Sequence, residues 1–171
     1  MLNQKNNIKR LCSFFVSEIH LVTMILPYIV KKLKDNINIV TILEKDLTTD
    51  IKLLTSRLNI KEEEKEKINK INWKCAKLCR NKKIGKNIYL NNKKENIIIV
   101  CGNKDYIDFA NSVIEKLKII QKAQITIINC YEVMQFNNNV KEILDKHDKI
   151  LNTSGEMEIE KVFEGYVKKI V

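Results

Sequence analysis

The stretch Asn-Ile-Ile-Ile-Val-Cys-Gly at Asn96–Gly102 decides the fold, together with Gln-Ile-Thr-Ile-Ile-Asn-Cys-Tyr-Glu at Gln124–Glu132. Both stretches are short and rich in β-branched residues, and polar residues follow each of them. Such runs are typical of strands buried on both faces, which belong to parallel sheets covered by helices. The intervening segment Tyr106–Ile120 has the apolar spacing of a helix. Together the three segments predict one strand–helix–strand crossover.

Strand and helix patterns alternate along the rest of the chain. This alternation is typical of a doubly wound α/β fold, in which three layers are built from a mostly parallel sheet and helices on both faces. The length of 171 residues and the hydrophobic content of 44% predict a single domain over residues 1–171, with residues 1–9 frayed. The other predicted strands are Arg10–Val16, Asn38–Leu43 and a short one that contains Ile68, Ile71 and Trp73.

The predicted helices differ in how clearly the sequence marks them. Ser17 is the expected N-cap of a first helix, within which Pro27 should cause a kink or mark the first turn. Near the C-terminus we expect a helix with Val140, Ile143, Leu144 and Ile150 on one face, followed by an amphipathic helix over Met157–Val171. Residues 74–95 are rich in lysine and are expected to form a mobile basic loop or a short hairpin.

The formal charge of +10 is a feature of many nucleic-acid-binding proteins. Of the 31 basic residues, however, only Arg10, Arg57 and Arg80 are arginines, and specific phosphate and base recognition depends on the arginine fork. We therefore favour an ordinary lysine-rich surface over a nucleic-acid partner. A nucleic-acid-binding protein is the first alternative, and its candidate residues are Lys82, Lys83, Lys86, Lys93 and Lys94.

Cysteine usage favours a reduced, cytoplasmic protein, because the chain has five cysteines and no convincing signal peptide. The apolar run Leu21–Val30 is about half the length that a membrane span needs, so no membrane association is expected. Cys75 and Cys79 could supply two metal ligands, but a tetrahedral zinc site takes four. His20 and His147 lie far from this pair in the sequence. We predict neither a metal nor a cofactor.

Motifs for catalysis are weak. The Gly85-Lys86 pair lacks the upstream glycine and the following Ser or Thr of a phosphate loop, so ATP hydrolysis is not expected. A cysteine-dependent enzyme, the second alternative, would need an accessible thiol of low pKa beside a base, which the sequence does not show. The thiols considered for that role are Cys12, Cys101 and Cys130.

Ligands of open parallel sheets bind outside the carboxyl ends of the strands. Tyr131 would offer such a ligand a flat apolar face and a hydroxyl, while Glu44 and Glu132 could accept hydrogen bonds from it or from the next helix N-terminus. His147 stands between acidic residues and is interpreted as solvated. The predicted ligand-binding residues are Ser17, Glu18, Glu44, Gly102, Asp105, Tyr131 and Glu132.

Several short motifs together resemble a known family. They are Phe14–Ser17, Leu26–Ile29, Asn38–Leu43, Val100–Tyr106 and Asn129–Glu132, followed by Phe136 and a helix that reaches His147. In order and spacing they resemble the MEDS domain, a sensory domain named after methanogens, methylotrophs and the dichloromethane-responsive regulator. The resemblance covers most of the chain discontinuously. The chain departs from the family pattern at Lys9–Leu11, where a histidine is frequent, and at Asp35 or Asn36, where a glycine is usual.

The resemblance implies a core similar to that of RecA and KaiC from which the phosphate loop has been lost. It also implies a non-enzymatic sensory or regulatory module, whose partner is a small organic ligand or a signalling protein. The departures from the family pattern leave the identity of any ligand open.

Overall fold

Residues 8–76, 88–117, 123–133 and 140–168 are described by the structure, a computed structural model. Their six strands form one sheet in the order β2-β3-β4-β1-β5-β6. The strands are β1 (Ile8–Phe15), β2 (Asn38–Leu43), β3 (Asn96–Gly102), β4 (Ile125–Glu132), β5 (Lys149–Asn152) and β6 (Gly155–Met157). The helices are α1 (Glu18–Lys34), α2 (Thr48–Arg57), α3 (Glu62–Lys70), α4 (Lys104–Glu115), α5 (Val140–Asp145) and α6 (Ile159–Val162).

The strand pair predicted at the centre of the fold is confirmed. β3 and β4 are parallel neighbours, with Asn96 opposite Ile125 and Gly102 opposite Tyr131. Every residue of β3 is buried, as expected for a strand covered on both faces. β1 pairs in parallel with β4 and β5, β2 pairs in parallel with β3, and β6 runs antiparallel to β5. The chain is therefore an α/β protein with a mostly parallel sheet, as the sequence predicted.

The alternating side chains of the strands supply two separate apolar cores. Ile97 and Ile99 pack in one core with residues of α1, α2 and α3. Ile98 lies in the other core with Ile107 of α4 and Ile143 of α5. Successive side chains of a strand point to opposite faces, so an unbroken apolar run fills both cores at once. The result is the helix–sheet–helix arrangement that the sequence predicted.

The connection from β2 to β3 passes across the open edge of β2. Trp73 is buried in the apolar core that includes α1, whereas Ala76 packs against the core on the other face, which includes α4. Two hydrogen bonds join this connection to β2: the hydroxyl of Thr41 donates to the carbonyl of Asn72, and the amide of Ala76 donates to the carbonyl of Leu43 at 2.8 Å. These bonds satisfy part of the edge that would otherwise be free to pair with another strand.

The short strand expected around Ile68 is wrong, because Ile68 lies in α3. Acidic residues fill the first turn of α3 and basic residues its last turn, an arrangement that stabilises the helix dipole. Glu64 also accepts a hydrogen bond from the amide of Lys61 at the helix start. Trp73 is held by its indole Nε1, which donates to the carbonyl of Ile68 at 2.8 Å.

Of the two helices predicted near the C-terminus, the first is present but shorter than expected, and the second is wrong. α5 ends at Asp145, and Ile150 lies in β5 opposite Cys12. In place of a helix over Met157–Val171, β6 is followed by the four-residue helix α6. Gly155, with φ of 97°, reverses the chain between β5 and β6, a backbone conformation that other residues rarely adopt.

The predictions for the N-terminus and the basic segment fall only partly on residues that the structure describes. β1 begins at Ile8, so Ile8 and Lys9 are ordered in the sheet, and residues 1–7 lie outside the described ranges. Ser17 caps α1 as predicted, since its side chain accepts from the amide of His20 at 3.2 Å, and α1 continues through Pro27. Of the basic segment 74–95, residues 77–87 also lie outside the described ranges.

Candidate functional site

The carboxyl ends of the strands hold most of the residues that the sequence selected. Glu18, Glu44, Gly102 and Glu132 line a common depression there. We call this the strand-end depression. Its free volume is about 10 Å³, roughly the space of a single water molecule. The remaining lining residues are Phe15, Leu21, Lys45, Leu47 and Cys101.

Glu44 is engaged by the N-terminus of α4. Its carboxylate accepts from the amide of Asn103 at 2.7 Å and from the side-chain Nδ2 of Asn103 at 2.9 Å. Asn103 in turn caps α4 by accepting from the amide of Tyr106. A Cβ on Gly102 would lie 2.6 Å from Glu44 Oε2, so glycine permits this close approach. Glu44 therefore serves the helix N-terminus, one of the two roles that its position predicted.

The other two carboxylates of the strand-end depression share one cation. Lys45 Nζ lies 3.0 Å from Glu18 Oε1 and 3.2 Å from Glu132 Oε1. The hydrogen bond from Lys45 holds the pKa of Glu18 below its usual value, and the bonds to Glu18 and Glu132 raise the pKa of Lys45. All three carboxylates of the depression thus already have donors within the protein.

The structure places three of the selected residues away from the depression. Ser17 is used as the N-cap of α1, and Asp105 is exposed in the first turn of α4. Tyr131 is buried on the opposite face of the sheet, where its ring stacks on Phe14 with centroids 5.9 Å apart. The sequence correctly located the strand ends but could not tell on which face each side chain would lie.

A larger groove opens on that opposite face, between α4 and the residues that directly follow α5. Its volume is about 550 Å³, and its lining runs from Arg10 on β1 across Tyr131 on β4. We call this the α4–α5 groove. The other lining residues are Asp108, Asn111, Ser112, Glu115, Asn129, Lys146 and His147.

A chain of hydrogen bonds forms the floor of the α4–α5 groove. Arg10 Nη1 donates to Asn111 Oδ1 at 3.1 Å, and Asn111 Nδ2 donates to Asn129 Oδ1 at 2.8 Å. Asn129 Nδ2 lies 2.9 Å from His147 Nε2, and His147 Nδ1 lies 2.6 Å from the carbonyl oxygen of Ile143. Because a carbonyl only accepts, Nδ1 carries the proton and Nε2 accepts from Asn129.

His147 is therefore held as a neutral imidazole. It is 2% exposed, and burial, the largest cause, lowers its pKa from 6.5 to about 4. The hydrogen bond to the Ile143 carbonyl and the charge of Asp148 act in the opposite direction, whereas Arg10 adds to the lowering. The interpretation of His147 as a solvated residue is wrong. Its neighbours in the sequence are acidic, but Asn129 and Tyr131 of β4 contact its ring.

The charges at the rim of the α4–α5 groove are paired. Arg10 Nη2 lies 2.8 Å from Glu115, and Lys104 Nζ lies 2.6 Å from Asp108. Lys146 likewise lies 2.9 Å from a carboxylate oxygen of Glu142. The groove therefore combines a polar floor with a rim whose charges are balanced.

Sequence reasoning missed Arg10, Asn111 and Asn129 as components of a site. The signal for Asn129 was an amide inside an otherwise apolar buried strand, which requires a hydrogen-bond partner. Arg10 and Asn111 gave no comparable signal, since both read as surface residues of a strand and a helix. Their meeting depends on the pairing of β1 with β4, which local patterns do not encode.

The residues considered for the two alternatives are dispersed. Lys93 and Lys94 lie in the turn before β3, at the opposite end of the sheet from the strand-end depression, whereas Lys82, Lys83 and Lys86 fall outside the described residues. Cys12, Cys101 and Cys130 are buried, and Cys75 is exposed. Burial raises the pKa of Cys12 to about 12 and, together with a hydrogen bond to Cys130, that of Cys101. These environments disfavour a thiolate nucleophile.

Cys79, the second member of the considered metal pair, also lies outside the described residues. Within the described ranges, no group of three or more His, Cys, Asp or Glu side chains is arranged to hold a metal ion. None of the helices described combines the length and the apolar character needed to cross a membrane.

Comparison with known proteins gives no relative: no family model, no curated protein and no solved structure matches this chain.

Proposed function

We propose that this chain is a binding module that takes a small polar organic molecule in the α4–α5 groove. The observation that carries the proposal is the buried amide–imidazole floor at the base of a groove of about 550 Å³. Ligand sites are concave and use a few fixed polar groups to orient the ligand. Asn129 Nδ2 gives one of its two hydrogens to His147, and among the described residues no second acceptor contacts it.

The ligand class follows from the balance of charge. Each charged side chain at the rim has a partner of opposite charge, so the groove offers no net field to attract a strong cation or anion. A ligand with a net charge would have to break one of these ion pairs without forming an equal interaction in its place. We infer that the ligand is neutral or zwitterionic and carries both hydrogen-bond donors and acceptors.

Binding is favoured over catalysis because the floor has no group suited to proton transfer at neutral pH. A pKa of about 4 makes His147 a weak base, and both of its ring nitrogens are already engaged. A sensory or regulatory role, as the MEDS resemblance implies, is consistent with such a site. In that role, ligand binding would alter the ion pair between Lys104 of α4 and Glu142 of α5, whose atoms lie 3.6 Å apart.

The test compares two matched serine substitutions. Ser112 lines the groove, and its hydroxyl donates to the carbonyl of Phe109 three residues earlier at 2.7 Å. Ser56 on α2 makes the same bond to Leu53 at 2.7 Å but lies on the other face of the sheet. Ser112→Tyr places a ring in the groove, whereas Ser56→Tyr makes the same chemical change elsewhere.

The measurement is ligand-induced thermal stabilisation with a panel of neutral and zwitterionic probes, namely nucleosides, monosaccharides and amino acids. We expect at least one class to stabilise the wild type and Ser56→Tyr, and to lose that effect with Ser112→Tyr. The melting temperatures without ligand should agree within a few degrees. The proposal fails if no class binds at millimolar concentration, or if Ser112→Tyr binds as the wild type does.

A further inference from the structure

A second concavity lies on the face opposite the α4–α5 groove, between α1 and the β5–β6 hairpin. Its volume is about 500 Å³. We call it the hairpin pocket. β1 separates the two sites: Lys9 lines the hairpin pocket, and the next residue, Arg10, lines the groove, as expected from the alternation of side chains along a strand.

Positive charge dominates the hairpin pocket. Lys9, Lys31 and Lys32 all line it, and Glu156 is its one acidic lining residue. Lys9 and Glu156 form an ion pair, and the hydroxyl of Tyr28 donates to the same carboxylate at 2.9 Å. Among the described residues, neither Lys31 nor Lys32 has a carboxylate within ion-pair distance, although the charge of Lys32 also acts on Glu156. With three ammonium groups against one carboxylate, the pocket has an excess of two positive charges.

Neutral donors and an apolar wall complete the site. Thr153 and Ser154 place exposed hydroxyls at the hairpin turn, which Asn152 fixes by accepting from the amide of Ser154 at 2.8 Å. Met24, Pro27 and Tyr28 supply apolar surface on the α1 side. Lys32 Nζ lies 5.4 Å from the centroid of the Tyr28 ring, which keeps its ammonium over the pocket.

We propose that the hairpin pocket binds a small organic phosphate. Lysine ammonium groups and hydroxyls are suitable donors for a phosphate monoester, which carries close to two negative charges at neutral pH. The pocket is much larger than a bare phosphate ion, and its apolar wall suits an organic body attached to the phosphate. The proposal concerns a separate site and does not rest on the function assigned to the α4–α5 groove.

The experiment uses two probes, inorganic phosphate and phenyl phosphate, measured by calorimetry or amide chemical shifts at constant ionic strength. We expect both to bind, with phenyl phosphate the tighter because its ring contacts Met24, Pro27 and Tyr28. Equal affinities, or binding of inorganic phosphate alone, would overturn the assignment to an organic phosphate. So would the absence of binding by either probe.

Two variants and a matched control locate the site. Replacing Lys31 and Lys32 together by Ala should weaken phenyl phosphate binding about tenfold or more, because two charge-assisted contacts are lost. Replacing Lys52 and Lys70 by Ala removes two exposed charges on α2 and α3, and should leave the affinity within about twofold. Equal losses in both double variants would indicate nonspecific attraction and overturn the proposal.

Replacing Glu156 should strengthen phosphate binding, whereas replacing the lysines should weaken it. Its carboxylate neutralises Lys9 and repels an incoming phosphate, so Glu156→Gln should strengthen binding about threefold. Gln keeps an acceptor for the Tyr28 hydroxyl, which limits the structural change. Unchanged or weaker binding by Glu156→Gln, when its melting temperature matches the wild type, would place the ligand elsewhere.

A binding experiment with an oligonucleotide distinguishes a site for small phosphates from a nucleic-acid-binding surface. Single-stranded DNA should bind no better than phenyl phosphate, and its binding should not depend on Lys93 or Lys94. Much tighter DNA binding that falls steeply with salt and is reduced by changing Lys93 and Lys94 to Ala would instead indicate a polyanion surface. That result would overturn the small-ligand proposal.

Discussion

The strand-end depression and the α4–α5 groove are both lined by polar side chains, yet their volumes are about 10 Å³ and 550 Å³. The difference follows from the helices that cover each face. α1 has 17 residues and packs with α2 and α3, whereas α5 has 6 residues and, among the described residues, leaves the space that forms the groove beside α4. Polar residues at strand ends thus do not define a ligand site unless the covering helices leave space beside them.

The two regions also use their polar groups differently. In the depression, Glu18, Glu44 and Glu132 bind a helix N-terminus or a lysine. In the groove, Asn129 and His147 form a buried neutral network. The depression should tolerate the loss of one charged side chain, because water can solvate the partner that remains. The buried network of the groove should not tolerate a new charge.

The largest effect should come from protonating His147. Its pKa is lowered in the folded state from 6.5 to about 4, so the unfolded chain binds this proton more tightly. The contribution of neutral His147 to the free energy of unfolding is therefore complete above pH 6.5 and is lost as the pH falls towards 4. The expected loss is about 3 kcal/mol. Urea unfolding measured between pH 7 and pH 4 provides the test.

The matched variant is His147→Gln, which offers an acceptor to Asn129 and a donor to the Ile143 carbonyl but does not titrate. Carboxylates contribute to acid destabilisation in both proteins, so the difference between their pH profiles isolates His147. Identical profiles would show that the imidazole is not held neutral. The groove floor would then be more open to solvent than its geometry indicates.

A smaller effect is expected from Gly102→Ala in the strand-end depression. The new Cβ would lie 2.9 Å from both Glu44 Cβ and Tyr106 Cδ1, and neither atom is the free end of a flexible chain. Relieving these contacts should cost about 1–3 kcal/mol of unfolding free energy. Chemical denaturation measures this loss of unfolding free energy. A loss of unfolding free energy below about 0.5 kcal/mol would mean that the depression can accommodate the added methyl group.

The sequence predicted the central parallel strands and the start of α1 because each of these elements is marked by several local signals. Asn96–Gly102 and Gln124–Glu132 are apolar enough to be buried on both faces, and such strands have few alternatives to a parallel sheet. Ser17 predicted the start of α1 through its capping chemistry. β5 and β6 were missed because four-residue and three-residue strands carry too little periodicity, and Ile150 fits a helical face equally well.

The candidate site was predictable only in part. Tyr131 and the strand ends could be located from the run of polar residues that follows each strand. The groove could not, since it depends on how far α5 extends and on the register that brings Arg10 opposite Ile127. His147 was misread for the same reason: its environment is supplied by β1 and β4 rather than by its neighbours in the chain.

The smallest effect should come from Lys45→Ala. Lys45 bridges Glu18 and Glu132, and its side chain is 50% exposed. Exposed ion pairs contribute little because water solvates the separated charges and salt screens them. We expect a loss below about 1 kcal/mol, measured by thermal unfolding.

The variant also leaves two carboxylates near each other without their shared cation, which removes the largest cause of the lowered pKa of Glu18. Added salt should therefore narrow the difference between Lys45→Ala and the wild type. Ligand binding in the α4–α5 groove should not change, because Lys45 lies at the other face of the sheet. If Lys45→Ala abolished ligand binding while Ser112→Tyr preserved it, the roles of the two regions would be reversed: the strand-end depression would open to admit a ligand, and the groove would be a structural feature of a short helix.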